Sequence, residues 1–127
     1  QNIHSYQEHY VNDYNKEVGL LMEKELIQLK LISQKDVDNQ NPNVPAYKKF
    51  FPHGTAHFMG LDVHDIGNRY EPMQAGMVFT CEPGIYIPEE KIGVRIENDI
   101  LVTDGDPIDL MKDIPRELDE IETIMNS

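Results

Sequence analysis

The sequence predicts an α+β fold in which an antiparallel sheet has flanking helices. Apolar residues recur in steps of three and four over residues 6–31, which is the spacing of an amphipathic helix. Two stretches with strand character follow, at residues 77–87 and 93–103. Residues 114–125 return to helical spacing. The order of helix, loop, strands and helix therefore favours an α+β unit.

The first predicted helix has apolar side chains on one face. They are Tyr10, Val11, Tyr14, Val18, Leu21, Met22 and Leu29. Gly19 lowers the helix propensity but does not end the helix. Residues 39–45, with the sequence NQNPNVP, predict a loop because Pro and Asn disfavour regular structure.

The second predicted strand, residues 93–103, has the clearer alternation. Its apolar face consists of Val94, Ile96, Ile100 and Val102. The opposite face carries polar and charged side chains, among them Arg95 and Glu97. Within the first stretch, Pro83 and Gly84 predict a kink, and between the two stretches residues 88–91 predict a turn.

The closing helix is predicted over residues 114–125. Its apolar positions are Leu118, Ile121, Ile124 and Met125. Pro115 suits a first helical turn, where its missing N–H group would have no partner in any case.

Charge and hydropathy exclude two classes of partner. The formal net charge is −12, from 23 acidic and 11 basic residues. Nucleic acids and anionic membranes are bound through basic patches, so neither is an expected partner. Since no run of 18 apolar residues occurs, no transmembrane helix is predicted.

The cysteine count predicts the cellular compartment, and the first residues predict whether the sequence is a piece of a longer protein. The single cysteine, Cys81, has no partner for an internal disulfide, which favours a reducing compartment and predicts a cytoplasmic location. The chain begins QNIH, without an initiating Met or the basic-then-apolar pattern of a secretory signal. We therefore expect a piece of a longer protein.

Side chains that bind metals concentrate in residues 52–65, 80–86 and 93–99. Three of the five histidines, His53, His57 and His64, fall within the first of these segments. Taken singly, each is more often a hydrogen-bonded structural histidine, and Gly54 argues against a helical pair of zinc ligands.

The carboxylates Glu82 and Glu97 are likewise ordinary strand residues when each is considered alone. Together with one imidazole they form a hard, oxygen-rich set that suits Mn2+ better than a thiolate zinc site does. Such a set is too small to hold two metal ions by itself.

The motifs resemble those of the creatinase-like, or pita-bread, metallopeptidases, in the proline-specific branch that includes aminopeptidase P. The matching segments are HGTAH at 53–57, GLDVHD at 60–65, EPGIY at 82–86 and RIE at 95–97. Residues 16–29 are similar to the helix that precedes the histidine segment, and residues 114–122 to the closing helix. The resemblance covers essentially the whole chain and implies the C-terminal half of the pita-bread fold.

The resemblance also implies a role for each matched residue. His57, Glu82 and Glu97 would bind metal, with Glu97 bridging two ions and Glu82 also moving a proton. His53 and His64 would contact the substrate or its tetrahedral intermediate. Tyr86 and Arg95 would shape the substrate pocket.

The implied activity is release of the N-terminal residue from peptides with proline in second position. Two divalent ions, most simply Mn2+ with Zn2+ or Co2+ as alternatives, would activate a bridging water and polarise the scissile carbonyl. The family uses five ligands, two of them aspartates on the preceding half of the domain, so residues 1–127 would hold three of the five. A homo-oligomer is the expected state of the full-length protein.

Three alternatives to this activity stay open. Prolidase shares the motifs but accepts only dipeptides, and the IPR segment at 114–116 favours aminopeptidase P. Methionine aminopeptidase fits the GLDVHD segment less well. A catalytically inactive pita-bread module that binds peptides would be marked by loss of ligands, yet all three are present.

Overall fold

The structure is a computed structural model that describes residues 10–127. It has three α-helices: α1 Val11–Gln28, α2 Gln34–Asp38 and α3 Leu118–Met125. Two short 3-10 helices lie at Ala46–Lys49 and Pro88–Glu90. The first helix confirms the predicted helical stretch, although residues 6–9 of that prediction lie outside the described part of the chain. Helix α2, which begins at a capping box formed by Ser33 and Asp36, was not predicted.

Five short strands form two antiparallel sheets. They are β1 Val78–Cys81, β2 Gly84–Ile87, β3 Ile92–Arg95, β4 Asn98–Leu101 and β5 Ile108–Asp109. One sheet has the order β1-β4-β5, and the other is the pair β2-β3. Strand β5 was not predicted. The predicted α+β class, with an antiparallel sheet and flanking helices, is confirmed.

The prediction of one continuous strand over residues 93–103 is wrong, because the strand is interrupted at Ile96 and Glu97. Its partner is interrupted opposite, at Glu82 and Pro83, where proline has no N–H group for the ladder. Cys81 pairs with Asn98 on one side of the interruption and Gly84 with Arg95 on the other. The register is therefore continuous, and Glu82 lies opposite Glu97.

The predicted apolar face of that strand is buried only at its end. Val102 is 2% exposed, whereas Val94 and Ile96 are 61% and 55% exposed. Strand β3 pairs only with β2, and within residues 10–127 no element packs over its outer face. Alternation alone could not show which part of the strand is covered.

The closing helix begins at Leu118, so the prediction that Pro115 lies in its first turn is wrong. Arg116 instead donates to Asp109 of β5 at 3.0 Å, and Asp109 also accepts from the backbone N–H of Met111 at 2.8 Å. These bonds hold the segment between β5 and α3 in an irregular path.

Helix α1 contributes to both hydrophobic clusters. Val11 packs with Met73, Phe79 and Val102. At the other end of the helix, a second cluster comprises Leu26, Ile32, Tyr47, Phe50 and Phe51. Gly19 stays helical as predicted, and a Cβ there would lie 2.5 Å from the Tyr47 hydroxyl. The second cluster therefore needs glycine at this position.

Candidate functional site

The histidine segment runs alongside β1 and Glu82, and Phe58 forms an isolated antiparallel bridge with Phe79. The backbone N–H of Thr80 donates to the carbonyl of His57 at 3.0 Å, and that of Glu82 donates to the carbonyl of Thr55 at 2.8 Å. The side-chain oxygen of Asn15, on α1, accepts from the N–H of Thr55 at 2.7 Å. These bonds place the predicted metal ligands of two separate segments side by side.

His57 and Glu82 are in direct contact at the centre of the site. The distance between His57 Nε2 and Glu82 Oε1 is 2.9 Å, and the two side chains are only 23% and 12% exposed. His57 Nδ1 is 2.9 Å from the carbonyl oxygen of Phe58, which can only accept, so Nδ1 carries the proton. A neutral His57 then turns the lone pair of Nε2 toward a carboxylate oxygen. Two acceptors at this distance require a proton or a cation between them.

The same two residues line a cleft of about 440 Å³. The predicted site residues on its wall are His53, His57, His64, Glu82, Arg95 and Glu97. Arg95 Nη1 lies 3.4 Å from Glu82 Oε2, so Arg95 partly balances the charge of Glu82. The structure thus brings together in one cleft six of the seven residues predicted from the motifs.

Tyr86, the seventh, reaches the site through His53. His53 Nδ1 donates to the carbonyl of Gly54 at 2.7 Å, which leaves Nε2 to accept from the Tyr86 hydroxyl at 3.0 Å. Gly84 makes room for this pair: a Cβ there would lie 2.8 Å from the Tyr86 hydroxyl and 3.1 Å from His53 Nε2. The His53 tautomer is therefore fixed by its two partners.

His64 stacks on His57, with ring centroids 4.1 Å apart and an angle of 23° between the ring planes. The loop that carries His64 is organised by Asp65. Its carboxylate accepts from the backbone N–H of Leu61 at 2.8 Å and of Ile66 at 2.7 Å. The backbone carbonyl of Phe58 accepts from the backbone N–H of Asp65 at 3.1 Å, which joins the two ends of this loop.

Sequence reasoning missed Thr80, Asn15 and Asp65 as residues that support the site. Thr80 had a usable signal, because it lies two positions before Glu82 in the predicted strand stretch 77–87, where alternate residues share a face. Asn15 had none, since its contact spans 40 positions along the chain. Asp65 was part of a quoted motif, but nothing in the motif shows that it caps the loop.

The donor types in the cleft fit a hard divalent cation. Three imidazoles and the carboxylates of Glu82 and Glu97 line it, and Cys81 Sγ is 3.3 Å from the Tyr14 hydroxyl. His57 and Glu82 already form an acceptor pair that a cation would satisfy. Across residues 10–127, no three His, Cys, Asp or Glu side chains converge into a complete ligand set. The predicted roles of His57, Glu82 and Glu97 as ligands stay predictions.

Residues 10–104 match Metallopeptidase family M24. The chain belongs to this family. Its M24 relatives include human Xaa-Pro aminopeptidase 3, which is 42% identical over 76% of this chain, and Escherichia coli Xaa-Pro aminopeptidase, which is 39% identical over 86% of it. The solved structure of Zn-substituted Escherichia coli aminopeptidase P in complex with product superimposes with a TM-score of 0.78 and 33% identity over 96% of the chain.

These matches confirm the family and the fold predicted from the motifs. The structure is part of the pita-bread fold that M24 relatives share. The chain spans about a quarter of the relatives it matches: 22% of the human protein, 27% of the Escherichia coli protein and 30% of the solved chain. None of the helices within residues 10–127 is both long and apolar enough to cross a bilayer.

Proposed function

We propose that this chain supplies part of the active site of a dinuclear-metal aminopeptidase that removes the N-terminal residue from peptides with proline in second position. The observation that carries the proposal is the 2.9 Å contact between His57 Nε2 and Glu82 Oε1, in a cleft that Glu97 also lines. The relatives named Xaa-Pro aminopeptidase support the choice of substrate.

His57, Glu82 and Glu97 would hold two divalent ions, together with two aspartates from a preceding half of the domain. Glu82 and Glu97 lie opposite each other across the interrupted strands, which suits carboxylates that serve the same pair of ions. Mn2+ is the proposed metal because the donors are oxygen and imidazole nitrogen. Bound divalent ions lower the pKa of water and polarise the scissile carbonyl.

Proton transfer and stabilisation of the oxyanion are assigned to side chains of this chain. Glu82 Oε1 already faces both His57 and the Thr80 hydroxyl, so Oε2 is the oxygen that we assign to proton transfer. His64, stacked at the wall of the cleft, donates a hydrogen bond to the oxyanion as it develops. Arg95 keeps the Glu82 carboxylate turned into the cleft.

Selection of proline requires shape, because the bond ahead of proline has no N–H group to recognise. His53 supplies a fixed edge to the cleft, since its hydrogen bonds with the Gly54 carbonyl and the Tyr86 hydroxyl hold the imidazole in place. We propose that the proline ring packs against this edge.

The experiment compares three ligand variants in the full-length protein: His57→Ala, Glu82→Ala and Glu97→Ala. Each is expected to lower kcat/KM on an Xaa-Pro-Yaa tripeptide by orders of magnitude at saturating Mn2+. Glu90→Ala is the matched control, because Glu90 is an exposed glutamate outside the cleft. Normal turnover of any one variant removes that residue from the proposed ligand set.

Two substrate controls decide between related activities. Cleavage of Xaa-Pro-Yaa but not Xaa-Ala-Yaa supports proline selection. Cleavage of Xaa-Pro dipeptides alone would identify a prolidase instead. The absence of any turnover, with peptide still bound, would identify a non-catalytic peptide-binding module.

The 127-residue chain by itself is proposed to bind at most one Mn2+ weakly and to be inactive. Its three ligands carry a charge of about −2 against the +4 of two divalent ions, a balance too small to retain both. Isothermal titration with Mn2+ tests this, and tight binding of two ions with hydrolysis would contradict it.

We further propose a cytoplasmic location and a homo-oligomer for the full-length protein. The location rests on the lone Cys81, which forms no disulfide. Fractionation of cells and sedimentation of the purified protein test the two statements separately.

A further inference from the structure

Thr80, in β1, is a polar side chain buried at the site and 1% exposed. It precedes Glu82 by two positions, and its hydroxyl is within hydrogen-bond distance of the Glu82 carboxylate. The Thr80 hydroxyl lies between the two residues that meet at the centre of the cleft, His57 and Glu82.

The hydrogen bonds of this hydroxyl leave only one arrangement of its proton. Thr80 Oγ1 accepts from the backbone N–H of His57 at 3.1 Å. The same oxygen is 3.1 Å from Glu82 Oε1. Because a backbone N–H can only donate and a hydroxyl has one proton, that proton is given to the carboxylate. Thr80 therefore ties the main chain of one predicted ligand to the side chain of the other.

A second hydrogen bond between Thr80 and His57 restrains the same pair of residues. The backbone N–H of Thr80 donates to the carbonyl of His57 at 3.0 Å, so both main-chain polar groups of His57 are bonded to the same threonine. Without the hydroxyl, the N–H of His57 and Oε1 of Glu82 would each lose a partner in a buried setting, where such losses are costly.

We propose that Thr80 is a positioning residue that holds His57 Nε2 and Glu82 Oε1 2.9 Å apart as a preformed ligand pair for a divalent cation. This inference rests on the metal role proposed above for His57 and Glu82. Partners that orient metal ligands typically alter metal affinity by about 10- to 100-fold when they are removed. The hydroxyl acts on how tightly metal is held and does not touch the substrate.

The test uses the full-length protein, freed of metal, and isothermal titration with Mn2+. Thr80→Val keeps the shape and removes the hydroxyl, and it is expected to weaken Mn2+ binding by about 10- to 100-fold. Thr80→Ser keeps the hydroxyl and is expected to bind Mn2+ close to wild type. At saturating Mn2+ the kcat of Thr80→Val should return toward the wild-type value, which a general loss of structure would not allow.

Thr80→Ala is a second variant without the hydroxyl. If Thr80→Val does not fold, the Mn2+ affinity of Thr80→Ala is compared with that of Thr80→Ser instead. Wild-type affinity in either hydroxyl-free variant overturns the inference, as does a loss in Thr80→Ser equal to that in Thr80→Val. A wild-type protein that binds no Mn2+ overturns the proposed function and this inference together. Tight wild-type binding with an unaffected valine variant overturns only the inference.

Discussion

Gly84→Ala is the substitution that best tests how His53 and Tyr86 build the edge of the cleft that is proposed to contact substrate. The added Cβ would lie 2.8 Å from the Tyr86 hydroxyl, 3.0 Å from Tyr86 Cε2 and 3.1 Å from His53 Nε2. All three distances are shorter than an ordinary van der Waals contact, so Tyr86 must move. The 3.0 Å hydrogen bond between Tyr86 and His53 is then lost or stretched.

The magnitude follows from two opposing effects. Replacing glycine by alanine lowers the entropy of the unfolded chain and stabilises by about 0.4–1 kcal/mol where the backbone accepts it. Overpacking costs about 1–3 kcal/mol, and the lost hydrogen bond about 0.5–1.5 kcal/mol. The unfavourable effects are larger, so we expect a net loss of about 1–3 kcal/mol. We also expect a higher KM, because the edge that is proposed to face the proline ring is displaced.

The assay measures thermal unfolding and steady-state hydrolysis of an Xaa-Pro-Yaa peptide by the full-length protein. Gly105→Ala is the matched control, since the nearest atom to its Cβ would be Thr103 Oγ1 at 4.0 Å. Tyr86→Phe removes the hydroxyl that causes the shortest contact, so adding Gly84→Ala in that background should cost less. Equal effects of Gly84→Ala and Gly105→Ala on stability and KM would refute this account of the His53 and Tyr86 pair.

Three further predictions concern residues that support the fold and the site. Phe51→Ala should lower the free energy of unfolding by about 3–5 kcal/mol in denaturant titration, because the side chain is 1% exposed, and an unchanged midpoint would contradict its place in the core. The hydrogen bonds of Ser33 lower the pKa of Asp36 from its ordinary value of 3.8. The capping box therefore stabilises the folded state at pH values above 3.8, and this stabilisation is lost as the pH falls through the lowered pKa. Ser33→Ala should therefore lower the melting temperature at pH 7 more than at pH 3, and an equal loss at both would count against the cap. Asp65→Asn removes one of the two acceptor oxygens that hold the loop of His64 and should lower kcat while leaving Mn2+ content unchanged; loss of metal in step with activity would show that this loop also supports the ligands.

The sequence by itself determined the family and named the residues that are proposed for the site. The four motifs name His53, His57, His64, Glu82 and Glu97 in order, and each is specific because it combines ligand-type side chains with glycines or proline at fixed positions. The kink at Pro83 was also predictable, since a proline followed by glycine inside a strand pattern marks a bulge or an interruption of the ladder. Local chemistry of this kind does not depend on the rest of the fold.

Only the tertiary structure decided how these residues meet. The pairing of Glu82 with Glu97 depends on the register of strands that continue on both sides of an interruption. Alternation within one strand fixes the face on which a residue lies but does not name the residue opposite it on the partner strand. The exposure of Val94 depends on which elements cover β3, and the late start of α3 depends on the bond between Arg116 and Asp109. Each of these is a contact between separate segments, and its energy depends on the path of the whole backbone, which sequence spacing does not specify.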